Sequence, residues 1–403
     1  PAPRSHRPRP NGPRYPTAGA ETPTPGWSPS GTGQVDPVAS RVLLVVSKCG
    51  ASGKDLTGVT MPRIALARVR DLCMRALTRH GASTEQAMSI TELLTAAERD
   101  GCHSHGLHRL EAFVDGCKLV NKTAVPEVKD IAPAAVVVDG HGGFQPYAQD
   151  LGMPSLQSKT RENGVAMLAV TNTAGMSGAM WGVAETLATD GLVSLVFANS
   201  PQYLAAHGGK SRVFGTNPMG FGWPRGQGSP PLVWDQASAA MARGEIELLK
   251  AKGGTLASGI GIGPDGDPST VPTEVLEGCQ LPFGGHKGSN IALMVELLGA
   301  ALIGAHLAVD HPPHTPFDKI NRGLFVIAID PDTFATIGAN PAERLFEAIL
   351  DSSPGGRLPS QRRYEHRREV LEHGKLIEIP ADTYATCIRL AEGDTTADSR
   401  SKL

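Results

Sequence analysis

The sequence shows no excess of charge of either sign. Its 403 residues carry 38 lysines and arginines against 40 aspartates and glutamates, which gives a formal net charge of −2. A protein that binds nucleic acid through phosphate charge usually carries a basic patch or an extreme isoelectric point. The basic residues here are dispersed along the chain, so we expect no nucleic-acid partner and a small-molecule substrate instead.

Cysteine is also scarce. The cysteines form no C-x-x-C pair and are few for this length; they are Cys49, Cys73, Cys102, Cys117, Cys279 and Cys387. Sparse cysteines of this kind are typical of reduced thiols in an intracellular compartment. The sequence therefore predicts no disulfide, no cysteine zinc site and no other metal site.

Long hydrophobic runs without a polar residue are missing too. The longest apolar stretch, "NIALMVELLGAALIGAHLAV" at residues 290–309, approaches the length of a membrane span but contains Glu296 and His306. A carboxylate and an imidazole inside such a run favour a buried helix. We therefore expect no membrane association.

The two ends of the chain differ in composition from the rest. Residues 1–60 are rich in proline, glycine, serine and threonine, so we expect them to be disordered or to be an upstream extension. The last three residues, Ser401, Lys402 and Leu403, match the S-K-L signal that the peroxisomal import receptor binds. This predicts delivery to a peroxisome or a related organelle such as the glycosome, with the cytoplasm as the alternative.

Amphipathic periodicity predicts a helical domain over residues 61–130. The first helix has Pro62 at its first helical position and stops at Gly81. The second begins with the capping-box pattern of Ser83 and Gln86. A third follows a stretch that is unusually rich in histidine.

That stretch, "GCHSHGLHRLEAF", contains the first candidate catalytic residues. The third helix is predicted to begin after Ser104, so that His105 and Arg109, four residues apart, lie on one side of a helical turn. An arginine can bind a carboxylate through paired hydrogen bonds, and a histidine can give or take a proton at a neighbouring atom. For His103 and His108 we favour helix capping or solvent exposure.

The centre of the chain changes from helical to alternating patterns. Short apolar runs separated by helical stretches predict strands at "AAVVVDG" (134–140), "VAMLAVTN" (165–172), "LVSLVFAN" (192–199), "PLVWD" (231–235) and "GLFVIAIDP" (323–331). We expect an α/β cofactor-binding domain over residues 131–300. Residues 301–400 are expected to complete the fold.

A loop of small residues follows the strand that ends at Asn172. The segment "TNTAGMSGAMWG" has several small residues immediately before a predicted helix: Thr173, Ala174, Gly175, Ser177 and Gly178. Such a loop lets backbone N–H groups approach a phosphate. Tight packing alone also selects small residues, and both interpretations stay open at this stage.

No Rossmann fingerprint accompanies this loop. The segment "GIGIGPDG" at residues 259–266 lacks a strong preceding strand and has Pro264 where a helix should begin. No P-loop is present either. The segment "GGHKGSN" instead places Lys287 and several glycines at the start of the long helix, which is an anion-binding arrangement without a Rossmann fold.

Four motifs in order resemble one known family. They are "SHGLHR" (104–109), "FGTNPMGFGWPR" (214–225), "VWDQASAAMARGEI" (233–246) and "LPFGGHKGSNIALMVELLGAALIG" (281–304). The chain resembles the malate/L-lactate dehydrogenase superfamily that lacks a Rossmann fold, from about residue 61 to about residue 379. "FGWPR", "ARGEI" and "GGHKGS" are most similar to the branch that reduces cyclic imino acids, the Δ1-piperideine-2-carboxylate/Δ1-pyrroline-2-carboxylate reductases.

The resemblance implies a fold and an assembly. It implies a non-Rossmann NAD(P)-binding α/β fold, in which a mixed-sheet domain packs on a helical domain built from N- and C-terminal segments. It also implies a homodimer with the cofactor near the subunit interface.

The resemblance further implies residue roles. His105 corresponds to the family's proton donor and Arg109 to its carboxylate-binding residue, with Ser104 positioning the ring and Asp235 orienting a polar group. NADPH or NADH would be bound by Asn172, Thr173, Ala174, Gly175, Met176, Ser177, Gly178, Asp235, Gln236, Lys287, Gly288, Ser360, Gln361 and Arg362.

Two of these positions differ from the family pattern. Most members carry a histidine near the position of Met176, and Ser360 stands where glycine is usual. Serine is the milder change if its backbone angle φ is negative.

These features predict an NAD(P)H-dependent oxidoreductase that reduces a small carboxylate-bearing C=N or C=O compound. The favoured substrate is a cyclic ketimine, Δ1-piperideine-2-carboxylate or Δ1-pyrroline-2-carboxylate. The alternatives are a dehydrogenase of malate, L-lactate or another 2-hydroxy acid, and a catalytically silent cofactor-binding protein.

Overall fold

The computed structural model describes residues 62–175, 177–226, 228–311, 321–337, 341–352 and 355–393. The predictions for residues 1–60, Met176 and residues 401–403 lie outside these segments and stay predictions. The domain boundaries drawn from the sequence also stay predictions.

The described segments contain both strands and helices. The strands are β1 (Arg63–Ala65), β2 (Glu127–Ala132), β3 (Ala135–Asp139), β4 (Val165–Thr173), β5 (Val193–Ala198), β6 (Leu204–Ala205), β7 (Arg212–Phe214), β8 (Met219–Trp223), β9 (Leu232–Gln236), β10 (Gly261–Ile262), β11 (Pro268–Ser269), β12 (Cys279–Gln280), β13 (Arg322–Ile329) and β14 (Leu376–Glu378). The α-helices are α1 (Leu66–Arg79), α2 (Thr84–Arg99), α3 (Leu110–Gly116), α4 (Gln145–Asn163), α5 (Trp181–Thr189), α6 (Arg243–Ala251), α7 (Pro272–Glu277), α8 (His286–Gly299), α9 (Ala342–Asp351), α10 (Gln361–Glu372) and α11 (Ala381–Glu392).

A seven-stranded mixed sheet forms the centre of the α/β part, in the order β2-β3-β4-β13-β5-β8-β9. Strands β3 and β4 are parallel, and the other neighbouring pairs are antiparallel. Helices α4 and α5 bury one face of this sheet, and α8 packs on the other. The five apolar runs that were predicted to be strands correspond to β3, β4, β5, β9 and β13. Their near-continuous apolar sequences follow from burial on both faces.

The strand register brings several candidate site residues to one end of this sheet. Arg322 pairs with Thr173, and Met219 pairs with both Phe197 and Gln236. The last residues of β4, β5 and β9 and the first residue of β13 therefore lie at the same end of the sheet. We call this end, which includes Thr173, Gln236 and Arg322, the Thr173 end.

A second core lies among α1, α2, α3 and α11. Its largest fully buried side chains are Leu72, Leu77, Ile90, Leu94, Leu110, Phe113 and Phe144. Strands β1 and β14 pair antiparallel, so hydrogen bonds tie the N-terminal helices to the C-terminal ones. The predicted fold class, a mixed-sheet α/β domain packed on helices from both terminal segments, is confirmed.

The start of α1 differs from the prediction. Residues Arg63–Ala65 form β1 and the helix begins at Leu66, so Pro62 does not occupy the first helical position. The cause is tertiary, because these residues pair with β14 and the Pro62 carbonyl accepts a hydrogen bond from Ile379 N at 3.3 Å.

Ser83 caps α2 as predicted, but the capping box is not reciprocal. Ser83 Oγ accepts a hydrogen bond from Gln86 N at 3.3 Å. The buried Gln86 side chain instead donates to Lys122 O at 2.7 Å and accepts from Phe144 N at 2.9 Å. It satisfies backbone groups of two loops rather than the start of its own helix.

The long apolar run is a helix only in its first part. Helix α8 ends at Gly299, and within the described segments no helix is both long enough and apolar enough to span a membrane. Glu296, the carboxylate inside the run, is buried and accepts hydrogen bonds from Ala308 N at 2.5 Å and Asn217 Nδ2 at 2.7 Å. Burial raises the pKa of Glu296, although these hydrogen bonds oppose the shift. The polar residue therefore anchors α8 to the "FGTNPMG" motif.

The cysteines within the described segments have free thiols: Cys73, Cys102, Cys117, Cys279 and Cys387. The same segments hold no group of three histidine, cysteine, aspartate or glutamate side chains that could bind a metal ion.

Candidate active site

The histidine motif forms two short turns rather than one helix. Residues His103–His105 and Leu107–Arg109 are successive 3-10 turns, and α3 begins only at Leu110. The prediction that His105 lies at the N-terminus of an α-helix was therefore wrong. His105 and Arg109 nevertheless lie near each other, since both contact Ser104: His105 Nδ1 lies 3.1 Å from its Oγ, and Arg109 Nε donates to its carbonyl at 2.9 Å.

The buried Glu98 side chain causes this interruption. Its carboxylate accepts hydrogen bonds from Leu107 N and from His103 Nδ1, both at 2.6 Å. Gly106 lies against the same carboxylate, where a β-carbon would not fit. The hydrogen bond to Glu98 raises the pKa of His103, so this histidine supports the turn by pairing with a buried acid.

His105 is half-buried beside Ser104 and Asp235. Its Nδ1 lies 3.1 Å from Ser104 Oγ. Burial lowers the pKa of His105, while the nearby Asp235 carboxylate raises it and Arg109 lowers it. An imidazolium with a lowered pKa is a stronger acid than an ordinary one, which suits a proton donor.

Arg109 is held by backbone and carboxylate groups. Its Nε donates to Ser104 O at 2.9 Å, and its Nη1 donates to Glu247 Oε2 at 3.2 Å. Glu247 also faces Arg243, whose Nε lies 3.4 Å from Oε1. Gly244 lies directly under the Arg109 guanidinium, so a β-carbon at this position would displace it.

Glu247 is thus a site residue that the sequence analysis missed. Although its burial raises the pKa, His108, Arg109 and Arg243 together lower the pKa of Glu247 below its usual value. It is therefore ionised at neutral pH and competes with any other carboxylate for Arg109. The motif "ARGEI" drew attention to this helix, but Arg243 and Glu247 were indistinguishable in sequence from an ordinary surface pair four residues apart.

Asp235 is positioned by the end of β9. Its Oδ2 accepts a hydrogen bond from Trp181 N, the first residue of α5, at 3.2 Å. Among the described residues no hydrogen bond joins Asp235 directly to His105, so Asp235 acts on the imidazole through its charge.

The loop after β4 begins at the Thr173 end. Asn172 has a positive φ of 51°, and its Nδ2 donates to Asp139 Oδ1 at 2.7 Å. Thr173 is buried, and its Oγ1 donates to Arg322 O at 3.0 Å. Gly175 has a φ of 84°, in the left-handed region that favours glycine.

The remaining small residues of the loop have separate explanations. Ala174 is buried and forms an isolated bridge with Phe144. Gly178 lies against Leu93 of α2, where a β-carbon would overlap the leucine side chain. Close packing therefore accounts for Gly178, whereas Ser177 contacts the side chain of Arg322, with Oγ and Nη1 3.4 Å apart.

The Lys287–Gly288 turn lies beside the segment that follows Asp235 and Gln236. Gly288 packs against backbone atoms of Phe283 and Ser238, too closely for a β-carbon. Lys287 and Gln236 are exposed. The structure therefore brings together two predicted cofactor-binding segments that are distant in sequence, Asp235–Gln236 and Lys287–Gly288.

Ser360 corrects one expectation. Its φ is +64°, so it adopts the left-handed conformation that glycine favours and not the negative φ that would make serine a mild change. Its Oγ donates to Val233 O of β9, which offsets part of the conformational cost. This contact places Ser360 beside β9, at a residue two positions before Asp235.

Gln361 and Arg362 begin α10. The Gln361 side chain accepts a hydrogen bond from Leu358 N and donates one to Glu365 Oε1, both at 3.1 Å. Both partners lie within four residues of Gln361, so the side chain stabilises the start of its own helix. Burial raises the pKa of Cys102 to about 11, and the charge of Arg362 opposes this shift. Helix α10 contacts the end of α2, which precedes the histidine motif, since His366 Nδ1 lies 2.9 Å from Arg99 O.

The matched family agrees with this arrangement. The model of the malate/L-lactate dehydrogenase family matches residues 64–387. The chain belongs to this family. It is an oxidoreductase, and reductases of this family use NAD(P)H, so the predicted family and enzyme class are confirmed.

Similar proteins include two bacterial reductases. The chain is 40% identical over 343 residues, which cover 82% of this chain and 100% of the relative, to a Δ1-pyrroline-2-carboxylate/Δ1-piperideine-2-carboxylate reductase from Pseudomonas aeruginosa. It is 38% identical, over 82% of this chain and 97% of the relative, to Δ1-pyrroline-2-carboxylate reductase 1 from Burkholderia ambifaria.

A crystal structure has the same fold. The Δ1-piperideine-2-carboxylate reductase from Pseudomonas syringae pv. tomato superposes with a TM-score of 0.74 at 35% identity, covering 82% of this chain and 99% of that one. The family therefore spans nearly all of the segments that the structure describes.

Proposed function

We propose that this enzyme reduces a cyclic ketimine carboxylate, Δ1-pyrroline-2-carboxylate or Δ1-piperideine-2-carboxylate, with NADPH or NADH. The observation that carries the proposal is a half-buried histidine of lowered pKa and an arginine that both contact Ser104, His105 through Oγ at 3.1 Å and Arg109 through the carbonyl at 2.9 Å. The similar bacterial reductases are named for the same substrates.

The chain's residues would divide the work as follows. Arg109 binds the substrate carboxylate through charge-assisted hydrogen bonds. Ser104 engages Nδ1 of His105, which leaves Nε2 to donate a proton to the imine nitrogen. Asp235 stabilises the imidazolium form before the proton is given up.

The residues at the Thr173 end fit a nicotinamide nucleotide. Gly175 presents backbone without a side chain, and Lys287, in the first turn of α8, forms no ion pair with the described residues. Both features suit a phosphate. A reduced nicotinamide held there would supply the hydride to the carbon beside the carboxylate.

A 2-hydroxy acid dehydrogenase is the second candidate, because the family description names malate and L-lactate. The same histidine and arginine can serve a 2-oxo acid, since its carbonyl oxygen also receives a proton beside a carboxylate. Substrate comparison separates the two functions.

We expect the purified protein to oxidise NADPH or NADH, measured by loss of absorbance of the reduced cofactor, when Δ1-pyrroline-2-carboxylate or Δ1-piperideine-2-carboxylate is added. Pyruvate and oxaloacetate are the matched comparison, and the better of the two nucleotides gives the cofactor preference. Turnover of only the 2-oxo acids would replace the proposal with the dehydrogenase function. Nucleotide binding without any turnover would indicate a silent protein.

We further propose a homodimer. Exposed apolar side chains occur on β4, on α8 and on the turn after α8; they include Met167 at 37%, Leu297 at 51% and Leu302 at 62% exposure. Light scattering after size exclusion should give about twice the chain mass, and Leu297→Glu should reduce it. A monomeric wild-type protein would contradict this. Delivery to a peroxisome-type organelle through Ser401, Lys402 and Leu403 stays a prediction.

A further inference from the structure

Arg367 of α10 forms hydrogen bonds to two carboxylates that belong to other parts of the fold. Its Nε donates to Asp100 Oδ1 at 2.8 Å, and its Nη2 donates to the second oxygen of the same carboxylate. The Nη1 and Nη2 groups also donate to Glu185, the latter to Oε2 at 2.9 Å. Three elements therefore meet at one guanidinium: the end of α2, helix α5 and helix α10.

Both of these ion pairs are shielded from solvent. The Asp100 side chain is completely buried, and the side chains of Glu185 and Arg367 are 13% and 19% exposed. Although burial raises the pKa of Asp100, the hydrogen bonds from Arg367 and Arg99 lower it below its usual value, so this carboxylate is ionised at neutral pH. Charge-assisted hydrogen bonds at this depth are weakly screened by salt and fix the geometry of the groups that they join.

The Asp100 carboxylate lies next to the histidine motif along the chain. Asp100 is the C-terminal cap of α2, and the motif "SHGLHR" begins four residues later. His366, the neighbour of Arg367, contacts the same segment, since its Nδ1 lies 2.9 Å from Arg99 O. Helix α10 is thereby attached to the residues from which the turn that carries His105 begins.

The Glu185 carboxylate leads to Asp235. Glu185 lies one turn beyond Trp181, the first residue of α5, whose N–H donates to Asp235 Oδ2 at 3.2 Å. Arg363, one turn before Arg367 on α10, has its guanidinium carbon 4.2 Å from the centre of the Trp181 ring. Its Nη2 also lies 3.5 Å from Glu185 Oε2. A cation–π contact and ion pairs therefore attach the first turn of α5 to α10.

The segments that carry His105 and Asp235 are thus joined through Arg367. Among the described residues no hydrogen bond connects His105 with Asp235 directly, so the packing of these segments sets their separation. A Coulombic interaction weakens as that separation grows, and it does so most steeply away from bulk water. We propose that Arg367 is a positioning residue for proton donation, which holds the histidine motif and Asp235 in the arrangement in which Asp235 supports His105. This rests on the proposed function, because it concerns the proton donor of the same site.

Arg367→Met is expected to lower kcat roughly 10- to 100-fold, since a displacement of about 1 Å at a catalytic group can cost ~10²-fold. KM for the imine should change much less, because Arg109 stays bound to the Ser104 carbonyl within its own motif. Wild-type kcat in the folded variant would overturn the proposal. Thermal unfolding shows whether Arg367→Met is folded at the assay temperature. If it is not, Arg367→Lys, which keeps the charge without the planar fork, takes its place in each comparison.

A double-mutant cycle with Asp235→Asn distinguishes positioning from a general structural role. Asparagine keeps an oxygen that can accept the Trp181 N–H but loses the charge. If Arg367 acts by placing that charge, Arg367→Met should cause little further loss of kcat in the Asp235→Asn background. Losses that multiply to within about twofold, as expected of independent sites, would overturn the proposal.

Arg225→Met is the matched control variant. The Arg225 side chain is 16% exposed, close to the value for Arg367, and it pairs with Glu343 at 2.6 Å. Arg225 follows β8 at the end of the sheet opposite to the Thr173 end. Its replacement should leave kcat near that of the wild type. A loss as large as that in Arg367→Met would show that any buried arginine has this effect and would overturn the proposal.

Titration of the His105 ring by NMR, with the signal assigned from its loss in His105→Ala, tests the positioning without turnover. Burial lowers the pKa of His105, the Asp235 charge raises it and the Arg109 charge lowers it. Moving Asp235 away should therefore lower this pKa in Arg367→Met, at most to its value in Asp235→Asn, whereas Arg225→Met should leave it unchanged. This result would support the positioning even if no imine is reduced and the proposed function fails. An unchanged pKa, or a rise caused by entry of water, would overturn it.

Discussion

Replacing His105 with alanine is expected to lower kcat by roughly 10²- to 10⁴-fold, the usual contribution of a positioned general acid. The imidazole lies beside Ser104 Oγ at 3.1 Å and is half-buried, so solvent is a poor substitute for its proton. Steady-state kinetics with the reduced cofactor would measure the loss. Cofactor binding, followed by fluorescence of the nicotinamide, should be largely kept.

His108→Ala is the matched control. His108 belongs to the same motif, but it is exposed and lies 4.0 Å from Glu247. It should keep near-wild-type kcat. Normal turnover in His105→Ala would show that another group donates the proton.

The pH profile provides an independent readout of the same role. A reduction that needs protonated His105 slows as the pH rises through the pKa of His105 in the free enzyme. Because burial lowers that pKa, the fall in kcat/KM should lie below the ordinary value of about 6.5. In His105→Ala this limb should disappear, once the ionisation of the imine itself has been measured separately. In the oxidation direction the neutral imidazole is the base, so the rate should rise through the same pKa.

Replacing Arg109 with leucine is expected to lower kcat/KM by about 10- to 150-fold, which corresponds to one charge-assisted interaction of about 1.5–3 kcal/mol. Within the motif "SHGLHR", the Arg109 guanidinium is the group that can bind a carboxylate through paired hydrogen bonds. The Ser104 carbonyl accepts a hydrogen bond from its Nε and so holds it in place. Arg109→Lys should mainly raise KM, because lysine keeps the charge without the paired geometry. Full activity of either variant would remove Arg109 from substrate binding.

Glu247→Gln tests whether Glu247 competes with the substrate carboxylate for Arg109 or instead positions the Arg109 guanidinium. The amide keeps a hydrogen-bond acceptor near Arg109 but removes the charge that competes with the substrate. If Glu247 is mainly a competitor, KM should fall; if it mainly positions the guanidinium, kcat should fall as well. An unchanged KM and kcat would show that the ion pair does not matter for substrate binding.

Local pattern predicted the sheet well because its strands are nearly continuous apolar runs. Five of the seven strands, β3, β4, β5, β9 and β13, were predicted, since burial on both faces leaves a simple signal, whereas β2 and β8 of the same sheet were not. The short strands were not predicted. β6, β10, β11 and β12 have only two residues each, which is too few for any periodicity.

The errors arose where a distant group determines the backbone. Glu98 interrupts the predicted helix at His105, and β14 draws the residues before Leu66 into a strand. Ser360 adopts a positive φ because it lies against Val233 of β9. None of these partners is close in sequence, so local propensity carried no information about them.

The amino-acid sequence by itself determined the family and the two residues proposed for proton transfer and carboxylate binding, because both lie in one short motif whose chemistry depends on residue type. Only the tertiary structure decided which charges face these residues. Glu247, on the separate helix α6, meets Arg109 at 3.2 Å. Coulombic interactions depend on distance and burial in space, and neither quantity can be obtained from the order of residues along the chain.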